Sequence, residues 1–194
     1  MKNNIKKPLL ISTLLIFILA YGQNDTNEVV VVKSDNQIEE FSNSLGLNEL
    51  KIDFLDLLIF PALTLGYEKT NDSYSAFGAT LFFNLNSDNG IDWNDKFVIT
   101  PYYRFYFSKS KDFGSKGFFA EVFSKFAFGE ARSEDYFDIA PGLAVGNKWI
   151  NRKGFTFETL FGLGRNLLYD SKEYSNDGRS TGIVRLGIAI GKRF

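Results

Sequence analysis

The 194-residue chain contains no histidine and no cysteine. Without imidazole there is no Ser-His-Asp triad and no proton shuttle working near neutral pH. Without a thiol there is no cysteine nucleophile, no disulfide and no thiolate metal site. The usual ligands of zinc, haem and iron–sulfur clusters are therefore absent, and no cofactor and no bound metal are expected. A positive surplus is lacking as well. Lys and Arg number 22 against 23 Asp and Glu, a net charge of -1. A nucleic-acid partner would call for a basic excess, so none is expected. What the chain has in abundance is phenylalanine, 21 residues, beside nine Tyr and two Trp. So many rings have to face something apolar.

The first residues read as an address. Lys2, Lys6 and Lys7 precede Leu9–Ala20, which is almost wholly apolar. Ala20-Tyr21-Gly22 then sets small residues at the -3 and -1 positions of a cleavage site, with Gln23 following. This is the pattern of a secretory signal peptide over residues 1–22. The apolar run is too short for a membrane-spanning helix, which needs about 20 residues. No cysteine follows it, so a lipoprotein anchor is excluded. Residues 23–48 are rich in Asn, Asp, Glu and Ser and read as a flexible tail. Inside the tail, Asn27-Glu28-Val29-Val30-Val31-Val32 resembles the acidic-then-valine box by which outer-membrane transporters engage TonB. A stray strand is the plainer reading, because the rest of the chain is too short for a plug and a large barrel.

From residue 49 to 194 the hydrophobic period is two. Eight segments of alternating residues are separated by turns rich in Gly, Asn, Asp, Ser and Lys. In the last, Val184, Leu186, Ile188, Ile190, Lys192 and Phe194 oppose Ile183, Arg185, Gly187, Ala189, Gly191 and Arg193. Phe155, Phe157, Phe161 and Leu163 oppose Thr156, Glu158, Gly162 and Gly164. The same split recurs over 137–149, 118–128, 97–107 and 76–85, and two shorter segments, about 49–57 and 62–69, complete the set. Pro101 and Pro141 interrupt two of the strands and call for bulges, because proline removes a ladder hydrogen bond.

Two all-β architectures share this alternation. A soluble barrel hides the apolar face. A transmembrane barrel turns it towards lipid and keeps polar residues in the lumen. The second face decides between them, being made of Gly and Ala with single long charges. A water-facing strand has no reason to be glycine-rich, whereas a narrow lumen needs small residues to make room for charged ones. Asp53, Glu68, Glu121, Asp138 and Glu158 nearly balance Lys51, Arg104, Lys125, Lys148, Arg185 and Arg193, as buried charges must. Phe107, Phe118, Trp149, Phe155 and Phe194 fall at strand ends and would form an interfacial aromatic girdle. A transmembrane eight-stranded antiparallel up-and-down β-barrel is therefore expected over residues 49–194.

The signal peptide, the eight segments and the ending Arg185-Leu-Gly-Ile-Ala-Ile-Gly-Lys-Arg-Phe194 resemble the small eight-stranded outer-membrane barrels of Gram-negative bacteria, of the OmpA/OmpX type. Leu57–Glu68 (LLIFPALTLGYE) and Ile99–Phe107 (ITPYYRFYF) resemble, more narrowly, a barrel family of unknown function. The resemblance implies a monomer in the outer membrane, with lipid and lipopolysaccharide around it and with tail and both termini periplasmic. It also implies that Phe194 acts as an assembly signal read by the barrel assembly machinery. Connections 86–96, 129–136 and 168–181, with a short turn at 58–61, would then lie outside. The three long ones carry nine acidic and four basic residues, and the opposite turns 69–75, 108–117 and 150–154 carry six basic and two acidic.

An eight-stranded barrel is just wide enough for side chains, so no large channel is expected. Arg104, Glu121, Lys125, Glu158 and Arg185 are the candidate lumen charge network. The expected function is non-enzymatic: a structural, adhesive or envelope-stress role. The alternatives are a soluble periplasmic ligand-binding barrel and a narrow ion or proton pore. Barrels of this type that modify lipid A use a histidine, which is missing here, and Glu121 with Glu158 as a glycosidase pair would have cations between them. Asp88, Asp92 and Asp95 form an outer acidic loop beside Trp93, but their spacing around Gly90 does not fit an EF-hand.

Overall fold

The structure is a computed structural model that describes residues 45–59, 62–72, 74–85, 94–107, 115–131, 134–169 and 180–194. The expected signal peptide 1–22, the expected tail up to residue 44 with Val29–Val32, and Asp88, Asp92 and Trp93 lie outside the described residues. Eight strands follow in order: β1 (Asn48–Asp53), β2 (Ala62–Thr70), β3 (Ser75–Asn84), β4 (Asp95–Tyr106), β5 (Gly117–Ala131), β6 (Glu134–Ile150), β7 (Phe155–Arg165) and β8 (Gly182–Arg193). Each pairs antiparallel with its sequence neighbour, and β1 with β8 closes the ring. The fold is an all-β, up-and-down, eight-stranded closed barrel. Asn48 and Phe194 mark one end, the terminal end, where their backbones exchange two hydrogen bonds of 3.1 and 2.8 Å.

The registers set the strand tilt. Paired residues run round the barrel as Asn48, Lys69, Phe77, Tyr103, Val122, Leu143, Leu163 and Val184. The closing register, Glu49↔Arg193, would set Val184 opposite position 58 rather than 48. The shear is therefore ten residues, which for eight strands corresponds to a tilt of about 40°.

Alternation then sorts side chains by face. Inward residues are buried, among them Glu68, Arg104, Phe119, Glu121, Lys148 and Glu158. Outward residues are exposed and apolar, among them Leu65, Phe77, Leu81, Phe105, Val122, Leu143, Phe161 and Leu186. The outward rings form two rows. At the terminal end stand Phe107, Phe118, Trp149, Phe155 and Phe194, with Phe107 against Phe118 at 5.9 Å and Trp149 against Phe157 at 5.5 Å. Towards the distal end, Phe83, Phe97, Phe128 and Phe137 touch in sequence across four strands, at 5.1, 6.1 and 4.9 Å. Among the described residues, charged outward side chains such as Lys69, Lys96, Glu130, Arg165 and Lys192 sit at the strand ends. The span between the rows carries none.

Four local expectations are corrected. The segment 49–57 is not one strand. It is strand only to Asp53 and then turns into a short helix, α1 (Phe54–Ile59), which packs on β8 and β2. Asp53 caps it, accepting the Leu55 N–H at 2.9 Å, the usual role of Asp at a helix start. The β1–β2 connection is thus longer than 58–61. The loop expected over 129–136 is largely strand, since β5 runs to Ala131 and β6 starts at Glu134. Neither proline makes a bulge. The β4–β5 register is the same on both sides of Pro101, and β5–β6 is continuous through Pro141. Both rings face outward, and the one register shift on β4 lies at Asp95/Phe97.

The inward glycines also differ in purpose from the expectation. Gly78, Gly129, Gly142 and Gly146 lie directly across the ladder from Tyr102, Tyr136, Phe123 and Phe119. A Cβ at any of the four would fall within 3.0 Å of that ring. The small residues admit aromatic rings lying flat in the lumen, as well as charges. Gly142→Ala, whose methyl would meet both the Phe123 ring and the Leu163 carbonyl, is expected to cost about 1–3 kcal/mol by overpacking. A lower urea midpoint at unchanged slope would show it.

Candidate functional site

The terminal half of the lumen is filled by a charge layer. It arises because inward positions on seven strands carry long ionic side chains that converge there. Glu68 on β2 is the hub. Its Oε2 accepts from Lys51 at 2.7 Å, Arg104 at 2.7 Å and the Tyr102 hydroxyl at 3.1 Å. Its Oε1 accepts from the Tyr106 hydroxyl at 2.9 Å and from Lys148. Arg104 on β4 is the second hub. Its guanidinium grips Glu158 with two bonds, 2.6 and 2.7 Å, and donates through Nε to Glu121 at 2.6 Å. Such forked pairing suits the planar guanidinium. Arg104 also lies over the rings of Tyr102 and Phe119, at 4.4 and 4.3 Å, a favourable site for a desolvated cation.

Four more links join the layer. Lys148 reaches Glu49 at 3.1 Å, and the Thr156 hydroxyl donates to Glu49 at 2.8 Å. Arg193 stands 3.8 Å from Glu49. Arg185 descends from β8 to pair with Glu121. Four carboxylates thus meet five cations, every carboxylate is at most 5% exposed, and each holds at least two partners. An unpaired charge at this depth would cost several kcal/mol. The layer forms a plug of interlocked, buried side chains across the terminal half of the lumen.

Of the five residues expected as a network, the structure brings Arg104, Glu121, Glu158 and Arg185 together. Lys125 is elsewhere. It has the right parity but sits four residues further along β5, where it pairs with Asp95 near the distal end. Asp95, expected in the outer acidic loop, is instead the first residue of β4, buried, and also accepts from the Tyr136 hydroxyl at 2.6 Å. Phe194 is exposed at the terminal rim. Sequence reasoning placed Lys51, Glu68 and Lys148 inside but did not join them to the network. It missed Glu49, although Glu49 shares the parity of Lys51 and Asp53, and it passed over the hydroxyls of Tyr102 and Tyr106. Among the described residues no group of three or more acidic side chains is placed to hold a metal ion.

Beyond the plug the distal half holds an open cavity of about 350 Å³. Phe82, Val98, Phe123 and Ile183 give it apolar walls, and Thr80 and Thr100 line it between them. Its size falls within the range of small-molecule sites. A far smaller void, about 30 Å³, lies between Lys51, Arg104 and Glu158 below and Arg185 above, room for about one water.

No family model, curated protein or solved structure matches this chain.

Proposed function

We propose that this protein is an integral outer-membrane β-barrel of a Gram-negative bacterium, of the OmpA/OmpX type. It is delivered by the signal peptide 1–22 and carries no catalytic centre. Its role is structural, adhesive or stress-related at the cell envelope, and its partners are lipid, lipopolysaccharide and, during assembly, the machinery that reads Phe194. The observation that carries the reading is the inversion of polarity. Rings and aliphatic side chains cover the outside in an uncharged band, while ionised groups fill the centre. A soluble barrel leaves no reason for that arrangement.

The band has a fitting height. Phe97 on β4 and Phe107 just past its end, and Phe118 and Phe128 on β5, are ten residues apart on one face. At ~3.3 Å per residue and a tilt of ~40°, that separation spans ~25 Å, the height of the apolar belt on outer-membrane barrels. No helix among the described residues is long and apolar enough to cross a membrane, so a crossing within residues 45–194 is proposed to be made by strands. The long acidic connections then face outward and the short basic turns face the periplasm, with the plug in the periplasmic half of the lumen.

Two measurements test this together. The protein is expected to stay with the outer membrane through a carbonate wash, and to migrate faster on an SDS gel unboiled than boiled. Recovery in the soluble periplasmic fraction would overturn the proposal and favour the soluble ligand-binding barrel.

A further inference from the structure

Among the described residues, the strand ladder that closes the barrel is shorter on one side than the strands it joins. Pairing between β1 and β8 stops at Asp53↔Ala189, because the chain leaves β1 there for α1. From Gly182 to Ile188, β8 is paired along its β7 edge, but its other edge has no strand beside it among the described residues. The shear would carry β1 up to position 58 alongside Val184. Helix α1 stands in that place, and a helix cannot continue the ladder. Asp53 covers part of the gap, accepting the Ile188 N–H at 3.2 Å, and a Cβ on Gly187 would fall 2.7 Å from the Asp53 carboxylate. The gap opens at the height of the apolar band, where Val184 is 65% exposed.

The cavity reaches this gap. Its lining includes Val184 and Leu186, on the stretch of β8 that β1 does not reach, as well as inward residues. At the gap it meets α1, where Leu55 and Asp56 form its edge. Asp53 and Asp56 stand at this mouth with no salt bridge among the described residues. Asp56 instead accepts the Thr64 hydroxyl at 2.5 Å.

We propose that the distal cavity is a lateral binding site for one acyl chain of a membrane lipid, admitted between β8 and β2 beside α1. The inference rests on the outer-membrane reading. The apolar walls, Phe82, Val98, Phe123 and Ile183, hold the chain. The plug below, with Arg185 bound to Glu121, stops it from passing through. The carboxylates at the mouth select a head group that is neutral overall or cationic and repel an anionic one.

The test is photolabelling of the full chain in lipid nanodiscs. The probe is phosphatidylcholine with a diazirine in one acyl chain, and adducts are mapped by mass spectrometry. Adducts are expected on inward Phe82, Val98, Phe123 or Ile183 in addition to outward Leu81, Ile99, Val122 or Leu143. Adducts confined to the outward set would overturn the lateral site and leave the membrane reading standing. Adducts on neither face would overturn both. Thr100→Trp, which fills the cavity, is expected to abolish inward adducts and leave outward ones unchanged, and their persistence would sink the proposal. If that variant fails to show the folded gel band, Val98→Phe serves the same purpose. Phosphatidylglycerol carrying the same diazirine chain should label the inward set more weakly, and equal labelling would remove the selection assigned to Asp53 and Asp56.

Discussion

Glu68→Ala is expected to lower the stability of the barrel by at least about 3–5 kcal/mol, the usual penalty for leaving buried charges without their partner. Glu68 is fully buried and accepts from five donors: Lys51, Tyr102, Arg104, Tyr106 and Lys148. Its removal changes the layer from four carboxylates against five cations to three against five. It also leaves two phenol hydroxyls without that acceptor. Two causes, charge loss and cavity formation, separate through Glu68→Gln. That change keeps the volume and places an NH₂ donor where every neighbour is already a donor. If charge dominates, Glu68→Gln is nearly as damaging as Glu68→Ala. If packing dominates, it is mild. Adding Lys148→Met to Glu68→Gln restores the charge balance and should recover part of the loss, a coupling that a double-mutant cycle reads directly. The measurement is the urea midpoint of the folded gel band in detergent. A midpoint unchanged in Glu68→Gln would show that the layer tolerates unmatched charge and is not what holds the lumen closed.

Parity in the sequence carried far, and its limits are instructive. Alternation assigned Phe97, Ile99, Tyr103 and Phe105 outward and Thr100, Tyr102, Arg104 and Tyr106 inward, and the burial along β4 follows it. Parity says which face a residue takes but not at what height it lies. Height depends on register, and register is decided by pairing between distant segments. That is why Lys125 could be placed in the lumen yet not with its partner. The strands missed at 129–136 fail for another reason. Gly129, Glu130, Ala131, Glu134 and Asp135 lie beyond the apolar band on the long β5–β6 hairpin, where no face has to be hydrophobic and the period-two signal vanishes. Helix α1 was masked by its length. Phe54-Leu-Asp-Leu-Leu-Ile59 is an apolar run too short to show a helical stripe. The Asp53 cap and Pro61 just after the helix were the available signs. The consequence of that one substitution of helix for strand, an open edge on β8, could not be seen without knowing where β1 ends.

Leu143→Arg distinguishes the membrane barrel from any soluble one by its size. Leu143 lies on β6 midway between Phe137 and Trp149, faces outward and is 67% exposed. Its cross-strand neighbours, Val122 and Leu163, are apolar and exposed as well. In water, exchanging an exposed leucine for arginine changes stability by only about ±0.5 kcal/mol. At the midplane of a bilayer the same exchange costs about 2–4 kcal/mol, falling to about 0–1 near the interfaces. Leu47→Arg, exposed at the terminal end just before β1, supplies the interfacial comparison. Urea unfolding from lipid vesicles should therefore show a large drop for Leu143→Arg and almost none for Leu47→Arg. Both residues are exposed to a comparable degree, so neither burial nor lost packing in the folded chain can produce the difference. Only a solvent whose polarity changes with height along the barrel can do so. Equal and small effects at the two positions would mean that water, not lipid, surrounds the band.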